Sequence, residues 1–364
     1  NGNLVYGIRE TLLGSNKLTW EKSYKTNIGL EMMLLGKLNL TLDYYWERRK
    51  DILIQRSSLP SMAGFDASIY ANMGEMDNKG VDANLEYQTR IGNKVGLRLF
   101  GNLTYSKNKI VFRDEPAMQY AYQKSEGTRY GEFYGYIAEG YFQSEEEIKK
   151  SPRQMRELAP GDIKYKDLND DGVIDANDQC YLGKSWFPSW SYGMGFNINY
   201  HNFDLALFFQ GVSDVSIMAN GGSIDTGNGD WGASGVGIVP FTGMGLNPSN
   251  VITKALDRWT ADNPRADAWY PRMTANATTN DNNYVNSTHW LKDGSYLRLK
   301  QASLGYTLEN KKLMDKGIEY LYFYLSGQNL LTFSKFKLWD PELGSNGAKY
   351  PLSRMVTLGM RVSF

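Results

Sequence analysis

From Trp20 to Leu34 the chain alternates: Trp20, Tyr24, Ile28, Leu30, Met32 and Leu34, with Lys22 and Thr26, fall on one side, and Glu21, Ser23, Lys25, Asn27 and Glu31 on the other. A period of two residues is that of a strand with one apolar and one polar face. It recurs at Leu38, Leu40, Leu42, Tyr44 and Trp46, and again at Val81, Ala83, Leu85 and Tyr87. The stretches 95–105, 192–200, 203–209, 302–308, 321–325 and 356–364 repeat it, with a register break near Leu299 to Ala302. With a partial stretch from Leu4 to Ile8, the spacing predicts about ten strands.

The connections sort by length. Turns at Gly36-Lys37, Gly92-Asn93, His201-Asn202 and around 310–316 are short, and those at 57–75, 107–189, 212–290 and 334–350 are long. In an up-and-down meander, strict alternation of short and long puts every long loop at one end. Outer-membrane barrels are built that way, with long loops outside. The expected fold is therefore all-β: a transmembrane antiparallel β-barrel whose polar residues line a wet interior. The 25 Tyr, 15 Phe and 9 Trp suit an apolar outer band with aromatic girdles. A soluble barrel or sandwich is the alternative, and it would have to bury these aromatics on one inner face.

Charge and composition narrow the function. Forty Lys and Arg balance forty Asp and Glu, so no field of one sign selects nucleic acid. No apolar run approaches the ~18 residues of a transmembrane helix, and no secretory leader opens the chain. The start at Asn1, within a strand-like stretch, suggests that an upstream part is missing. The single Cys180 excludes an internal disulfide, and His201 and His289 leave little for histidine chemistry. With no G-x-S-x-G elbow and no spaced carboxylate pair outside 167–178, the expectation is that the chain is not an enzyme.

Three local signals stand in the long loops. Ser144-Glu-Glu-Glu147 has capping-box spacing and predicts a short helix over 145–150. Val251 to Trp259 places Ile252, Ala255, Leu256 and Trp259 on one helical stripe, read as packing. Gly227, Gly229 and Gly232 match G-x-G-x-x-G, but no strand leads into them, so a loop is expected there instead of a dinucleotide site.

The stretch "KDLNDDGVIDANDQC" is more specific. Asp167, Asn169, Asp171, Gly172, Asp175 and Asp178 occupy positions 1, 3, 5, 6, 9 and 12 of a calcium loop, with the Val173 carbonyl at position 7 and apolar Ile174 at position 8. Oxygen ligands at alternate positions converge only if the chain turns sharply at the sixth residue, which glycine permits. Position 12 is Asp where a Glu normally reaches in with both oxygens. A solvated acidic turn is the alternative, though carboxylates this dense would repel one another without a cation.

The run "GDIKYKDLNDDGVIDANDQCYLGKSWFPSWSYGMGFNINYHNFDL", followed by "FFQG", resembles the corresponding part of SusC-type TonB-dependent transporters of Bacteroidetes outer membranes. "DYYWERRKDIL", "NKGVDANLEY", "WLKDGSYLRLKQASLGYTL", "LYFYLSGQNLLTFSKFKLWDPE" and "YPLSRMVTLGMRVSF" are similar to family segments in the same order. The final Phe364 resembles the C-terminal signal read by the barrel assembly machinery. The resemblance implies that residues 1–364 are the C-terminal part of a 22-stranded barrel, with signal peptide, TonB box and plug lying upstream. It also implies active import of oligosaccharides or peptides, with a SusD-type surface lipoprotein as partner and energy from the TonB-ExbB-ExbD complex. A passive porin, a receptor for a siderophore or cobalamin, and a calcium-binding surface module are the alternatives.

Overall fold

The computed structural model describes residues 12–13, 17–58, 68–92, 94–220, 253–273, 281–345, 347 and 350–364. Nine strands lie side by side in chain order: β1 (Lys22–Leu34), β2 (Leu38–Gln55), β3 (Ser68–Ile91), β4 (Val95–Phe112), β5 (Trp190–Tyr200), β6 (Phe203–Ser213), β7 (Tyr296–Leu308), β8 (Tyr320–Ser334) and β9 (Met355–Ser363). Each pairs antiparallel with the next, and Leu12–Leu13 adds a short parallel pairing to Ser68 and Ile69 of β3. The expected strand at Leu4 to Ile8 lies outside the described residues. Among the described residues β9 pairs only with β8, and β1 only with β2, so the sheet ends in two free edges.

Register turns the alternation of each strand into two continuous faces. Ile28, Tyr44, Val81, Tyr105 and Trp190 form one row, and Leu30, Leu42, Ala83, Leu103 and Tyr192 the next. Towards the other edge the same face carries Leu205, Leu304, Leu325 and Leu358. Protein does not cover it: Leu358 is 80% exposed and Ile28 68%. A bilayer supplies the missing apolar contact, at roughly 1.5–3 kcal/mol for each large side chain removed from water.

The register break is a bulge. Leu299 pairs with Phe209 and Leu331, but Gln301 pairs with Phe208 and Gln328, so Lys300 is extra in β7 and Asn329 and Leu330 in β8. The extra residue shifts parity by one. Leu297 and Leu299 before it, and Ala302 and Leu304 after it, thereby stay on the apolar face.

The strands run further at the long-loop end than alternation alone predicts. β2 continues to Gln55, β3 begins at Ser68 inside the expected loop 57–75, and β4 extends to Phe112. Beyond the Trp46–Lys79–Lys107 row charges enter the outward face and register shifts near Ile52 and Met76 break the parity, so the ladder persists while the pattern that reveals it stops. At the short end, Leu35 and Gly36 take φ of 54° and 63° to close the β1–β2 turn, and Lys37 N donates to Leu34 O at 3.0 Å. The connection after β7 is a helical turn, Lys311–Met314, whose N-cap Asn310 accepts from Lys312 N.

The long loops fold onto one another. The described residues of 113–189 and 214–295 contribute short two-stranded pairings, Ala138–Tyr141 with Ile163–Tyr165 and Ser216–Met218 with Leu291–Asp293 among them, and a 3₁₀ turn at Pro341–Leu343 joins them. Their apolar residues make a cluster that includes Tyr136, Tyr141, Ile163, Ile174, Trp259, Tyr270, Trp290 and Phe336. This is a protein core of the ordinary kind, outside the membrane band.

Candidate functional site

The polar face of the sheet is the first part of the site. Arg98 donates twice to Glu86, both at 2.9 Å, and Tyr322 Oη donates to Asp204 Oδ2 at 3.0 Å. Glycines make room for the tyrosines: a Cβ on Gly359 would strike the Tyr324 ring, and one on Gly305 would strike the Tyr322 hydroxyl. Near the short turns this face holds a recess of about 500 Å³ lined by Asn197, Asn199, Asp204, Thr307, Tyr322 and Arg361. A wall of paired ions and hydroxyls is wet, and it offers hydrogen bonds to a polar solute.

The folded loops are the second part. Asp162 is fully buried and ties two of them: Arg272 Nε and Nη2 donate to its oxygens at 3.0 and 2.9 Å, and Asn283 Nδ2 donates at 2.8 Å. Asn283 Oδ1 accepts from Ile163 N at 2.8 Å, and Trp290 Nε1 donates to Asn283 O at 2.7 Å. A buried carboxylate this fully satisfied holds one arrangement of its neighbours, because losing a partner leaves a charge desolvated. Burial, and then the nearby Lys292 ammonium, push the His289 imidazole down to about 3, so it is neutral here. Burial also lowers the Lys292 amine and raises the Tyr270 hydroxyl.

Two ion networks fasten this dome to the wall. Arg298, 1% exposed on β7, donates to both oxygens of Asp340 at 2.6 and 2.8 Å and to Glu342 at 2.8 Å. Arg129 Nη1 donates to Ser189 Oγ and to Asp214, Ser189 Oγ donates to Asp214 in turn, and although burial opposes it, the serine and the arginine hold the Asp214 carboxyl below its usual value. Neither network is visible in sequence, since each joins residues more than forty positions apart.

The calcium-like stretch folds as a closed turn. Gly172, at φ 81°, donates its N–H to Asp167 Oδ2 at 2.8 Å, Asp171 N donates to Asn169 Oδ1 and Val173 N to Asp171 Oδ1. Asp175 caps the 3₁₀ turn Ala176–Asp178, accepting from Asn177 N at 2.7 Å. Asp178 is fully buried and accepts from Leu168 N at 2.7 Å and Asp175 N at 2.9 Å. Ile174 sits in the dome core. Tyr122 Oη donates to Asn177 O at 2.7 Å, and burial, helped by Asp178, pushes that hydroxyl up to about 12. Most of the side-chain oxygens thus turn to the loop's own amides, and among the described residues no three His, Cys, Asp or Glu side chains are grouped to share a metal ion. One oxygen is different: Asp167 Oδ1 is buried without a hydrogen-bond partner.

Other expectations resolve locally. The helix Glu145–Lys150 forms, with Ser144 Oγ accepting from Glu147 N; Glu147 returns the bond to Gln143 N, one residue earlier than a capping box requires. The stripe at 251–259 is instead a 3₁₀ turn, Thr253–Leu256, whose tighter period buries Ala255 and leaves Leu256 75% exposed. Ile252 and the glycines 227, 229 and 232 lie outside the described residues. Cys180 is buried and free.

The family described as TonB dependent receptor-like, beta-barrel matches residues 2–330. TonB-dependent receptor P3 of Formosa agariphila is 28% identical over 99% of this chain and 36% of its own length. TonB-dependent receptor SusC of Bacteroides thetaiotaomicron is 23% identical over the whole chain and 34% of its own length. The chain therefore spans about a third of the relatives it matches. Among solved structures, the RagAB peptide importer in its open-open state superposes with a TM-score of 0.70 at 23% identity, covering 97% of this chain and 36% of that one. Its closed-closed state gives 0.68.

Proposed function

This chain belongs to the TonB-dependent receptor β-barrel family of the outer membrane, and we propose that it is the C-terminal part of the barrel of an active importer. Its sheet makes part of the wall, and its two free edges continue into the remaining strands. The imported solute is an oligosaccharide or a peptide, the partner is a SusD-type lipoprotein seated on the dome, and TonB supplies the energy through an upstream plug. The observation that carries the reading is the family match over 2–330, joined to a polar inner face that runs from the short turns to the folded loops. Solutes rich in hydroxyls and amides suit such a wall.

The same reading places one calcium ion, in a structural role, in the loop Asp167–Asp178. Carboxylates of Asp167, Asp171, Asp175 and Asp178, the Asn169 amide and the Val173 carbonyl are hard oxygen donors. The buried, unpartnered Asp167 Oδ1 supports the fit. Bound calcium would supply positive charge where the loop concentrates negative charge, and would draw Asp171 and Asn169 from each other towards it.

Uptake tests the proposal. A strain without the full-length gene should fail to deplete a pool of oligosaccharides or of peptides from the medium, and the gene should restore depletion only where TonB is present. Restoration without TonB would mean a passive pore, and unchanged depletion of both pools in the deletion strain would refute import of these solutes.

A further inference from the structure

The outward face changes character at its outer boundary. Tyr44, Trp46, Tyr105 and Trp190 form an aromatic belt there, with the Tyr105 and Trp190 rings 4.4 Å apart. In the row of Trp46, register sets Lys79 directly opposite Lys107, and Lys109 follows two residues along β4. All three lysines are exposed. The carboxylates nearest them face other cations: Arg48 donates to Glu75 at 2.8 Å and lies 3.6 Å from Asp77, which register sets opposite Lys109, and Lys50 approaches Glu75 at 3.9 Å. Among the described residues, no ion pair involves Lys79, Lys107 or Lys109.

Like charges directly opposite on an antiparallel pair destabilise it. On the inner face cations meet carboxylates instead: Lys25 stands opposite Glu47, and Arg98 reaches Glu86 diagonally from its place opposite Gln88. Beside the lysines lies a second apolar feature. The segment 127–131 runs along the end of β4, with Ile110 N donating to Thr128 O and Tyr130 N to Asn108 Oδ1. It presents Tyr130 stacked on Phe187 at 5.8 Å, and Phe187 on Trp186 at 4.0 Å, all exposed.

We propose that Lys79, Lys107 and Lys109 bind the phosphate groups of the outer-leaflet glycolipid, with the aromatic belt seated against its acyl chains and Tyr130, Phe187 and Trp186 beside its sugars. The height fits, since aromatic belts mark the headgroup level and lysines just above them meet phosphates. The lipid, and not a free phosphate, is the occupant because the apolar band continues directly beneath the cations. The bound phosphates offset the repulsion that the strand pairing otherwise carries.

The test uses the full-length transporter in phosphatidylcholine nanodiscs doped with diphosphorylated lipid A, and counts bound glycolipid by native mass spectrometry. Replacing Lys79 and Lys107 together by Gln should weaken lipid A binding about thirtyfold, near one charge–headgroup contact per lysine. Lys25→Gln, on the inner face, should leave it unchanged, and excess inorganic phosphate should not displace the lipid. In lipid-free detergent the double variant should unfold at or above the wild-type temperature, because the repulsion is gone; in lipid A discs it should unfold below. If the double variant does not assemble, Lys109→Gln alone should still weaken binding about fivefold. Wild-type affinity in these variants, equal binding of dephosphorylated lipid A, or displacement by phosphate would each overturn the proposal.

Discussion

The wall and the dome use the same residue types in opposite ways. On β9, Val356 and Leu358 are 69% and 80% exposed to whatever surrounds the barrel, while in the dome Trp290 and Tyr270 are wholly enclosed by protein. The wall takes its apolar stabilisation from lipid and its coherence from ladder hydrogen bonds, which the bilayer makes obligatory. The dome takes both from packing, as a soluble domain does. The two should therefore fail separately, although one chain threads them both.

The sharpest way to break that comparison is to remove the centre of the dome. Trp290 stacks edge-on against Tyr270 and Trp269 and donates to Asn283 O. Trp290→Ala should cost about 3–5 kcal/mol. Protease added to intact cells should then cut within 113–189 and 281–295, while the barrel keeps its heat-modifiable migration on a gel. Loss of that migration would mean that wall and dome are one cooperative unit.

The reciprocal test lies in the wall. Leu304 faces outward between Leu205 and Leu325, and its neighbour Ser303 faces inward between Ala206 and Ser326. Leu304→Arg should cost about 2–4 kcal/mol if it sits near the bilayer midplane, whereas an arginine on the wet face costs far less. Denaturant unfolding in vesicles should separate Leu304→Arg from Ser303→Arg. Equal effects would mean that the outward face does not meet lipid.

A smaller effect distinguishes the two regions by pH. His289 is held neutral in the dome, with its pKa near 3 against 6.5 for the free side chain. Its folded value is the lower one, so the unfolded state binds the extra proton and stability falls as pH drops from about 6.5 towards 3. The slope is at most about 1.4 kcal/mol per pH unit. Dome proteolysis should quicken across that window, and less so in His289→Gln. An unchanged rate from pH 7 to 4 would remove His289 from the account.

The comparison also explains which parts could be read from the sequence. Nine strands, their order and the bulge near Leu299 were legible because one face meets the same solvent along its whole length, so alternation survives. Legibility stopped at Trp46 and Tyr105, where the strands leave the bilayer, charges enter the outward face and register shifts near Ile52 and Met76 break the parity. The dome was nearly opaque. Tyr141, Tyr270 and Trp290 meet from three separate segments with no shared period, and Asp162 finds Arg272 and Asn283 more than a hundred residues away. Only features closed within a few residues showed through: the Ser144 cap of the helix Glu145–Lys150, and the sharp turn at Gly172.

That acidic loop is where the dome is most open to test at the least cost to the wall. Its hydrogen bonds already define a fold without an ion, for Asp178 closes it through Leu168 N and Asp175 N, and Tyr122 and Gln123 hold the far side through Asn177 O and Ala176 O. Calcium should therefore tighten the loop without creating it, at affinities of about 10⁻⁴ to 10⁻³ M as in extracellular modules. Asn169 Nδ2 lies 3.2 Å from Tyr120 Oη, so terbium in the loop should be sensitised by tyrosine. Asp167→Ala with Asp171→Ala should abolish that luminescence and expose 166–178 to protease, leaving barrel migration unchanged because no ladder bond depends on the loop. Asn169→Ala alone should weaken terbium binding and shift the titration. Full luminescence in the double variant, or no terbium signal in wild type, would leave the stretch as a solvated acidic turn whose carboxylates serve only their own amides.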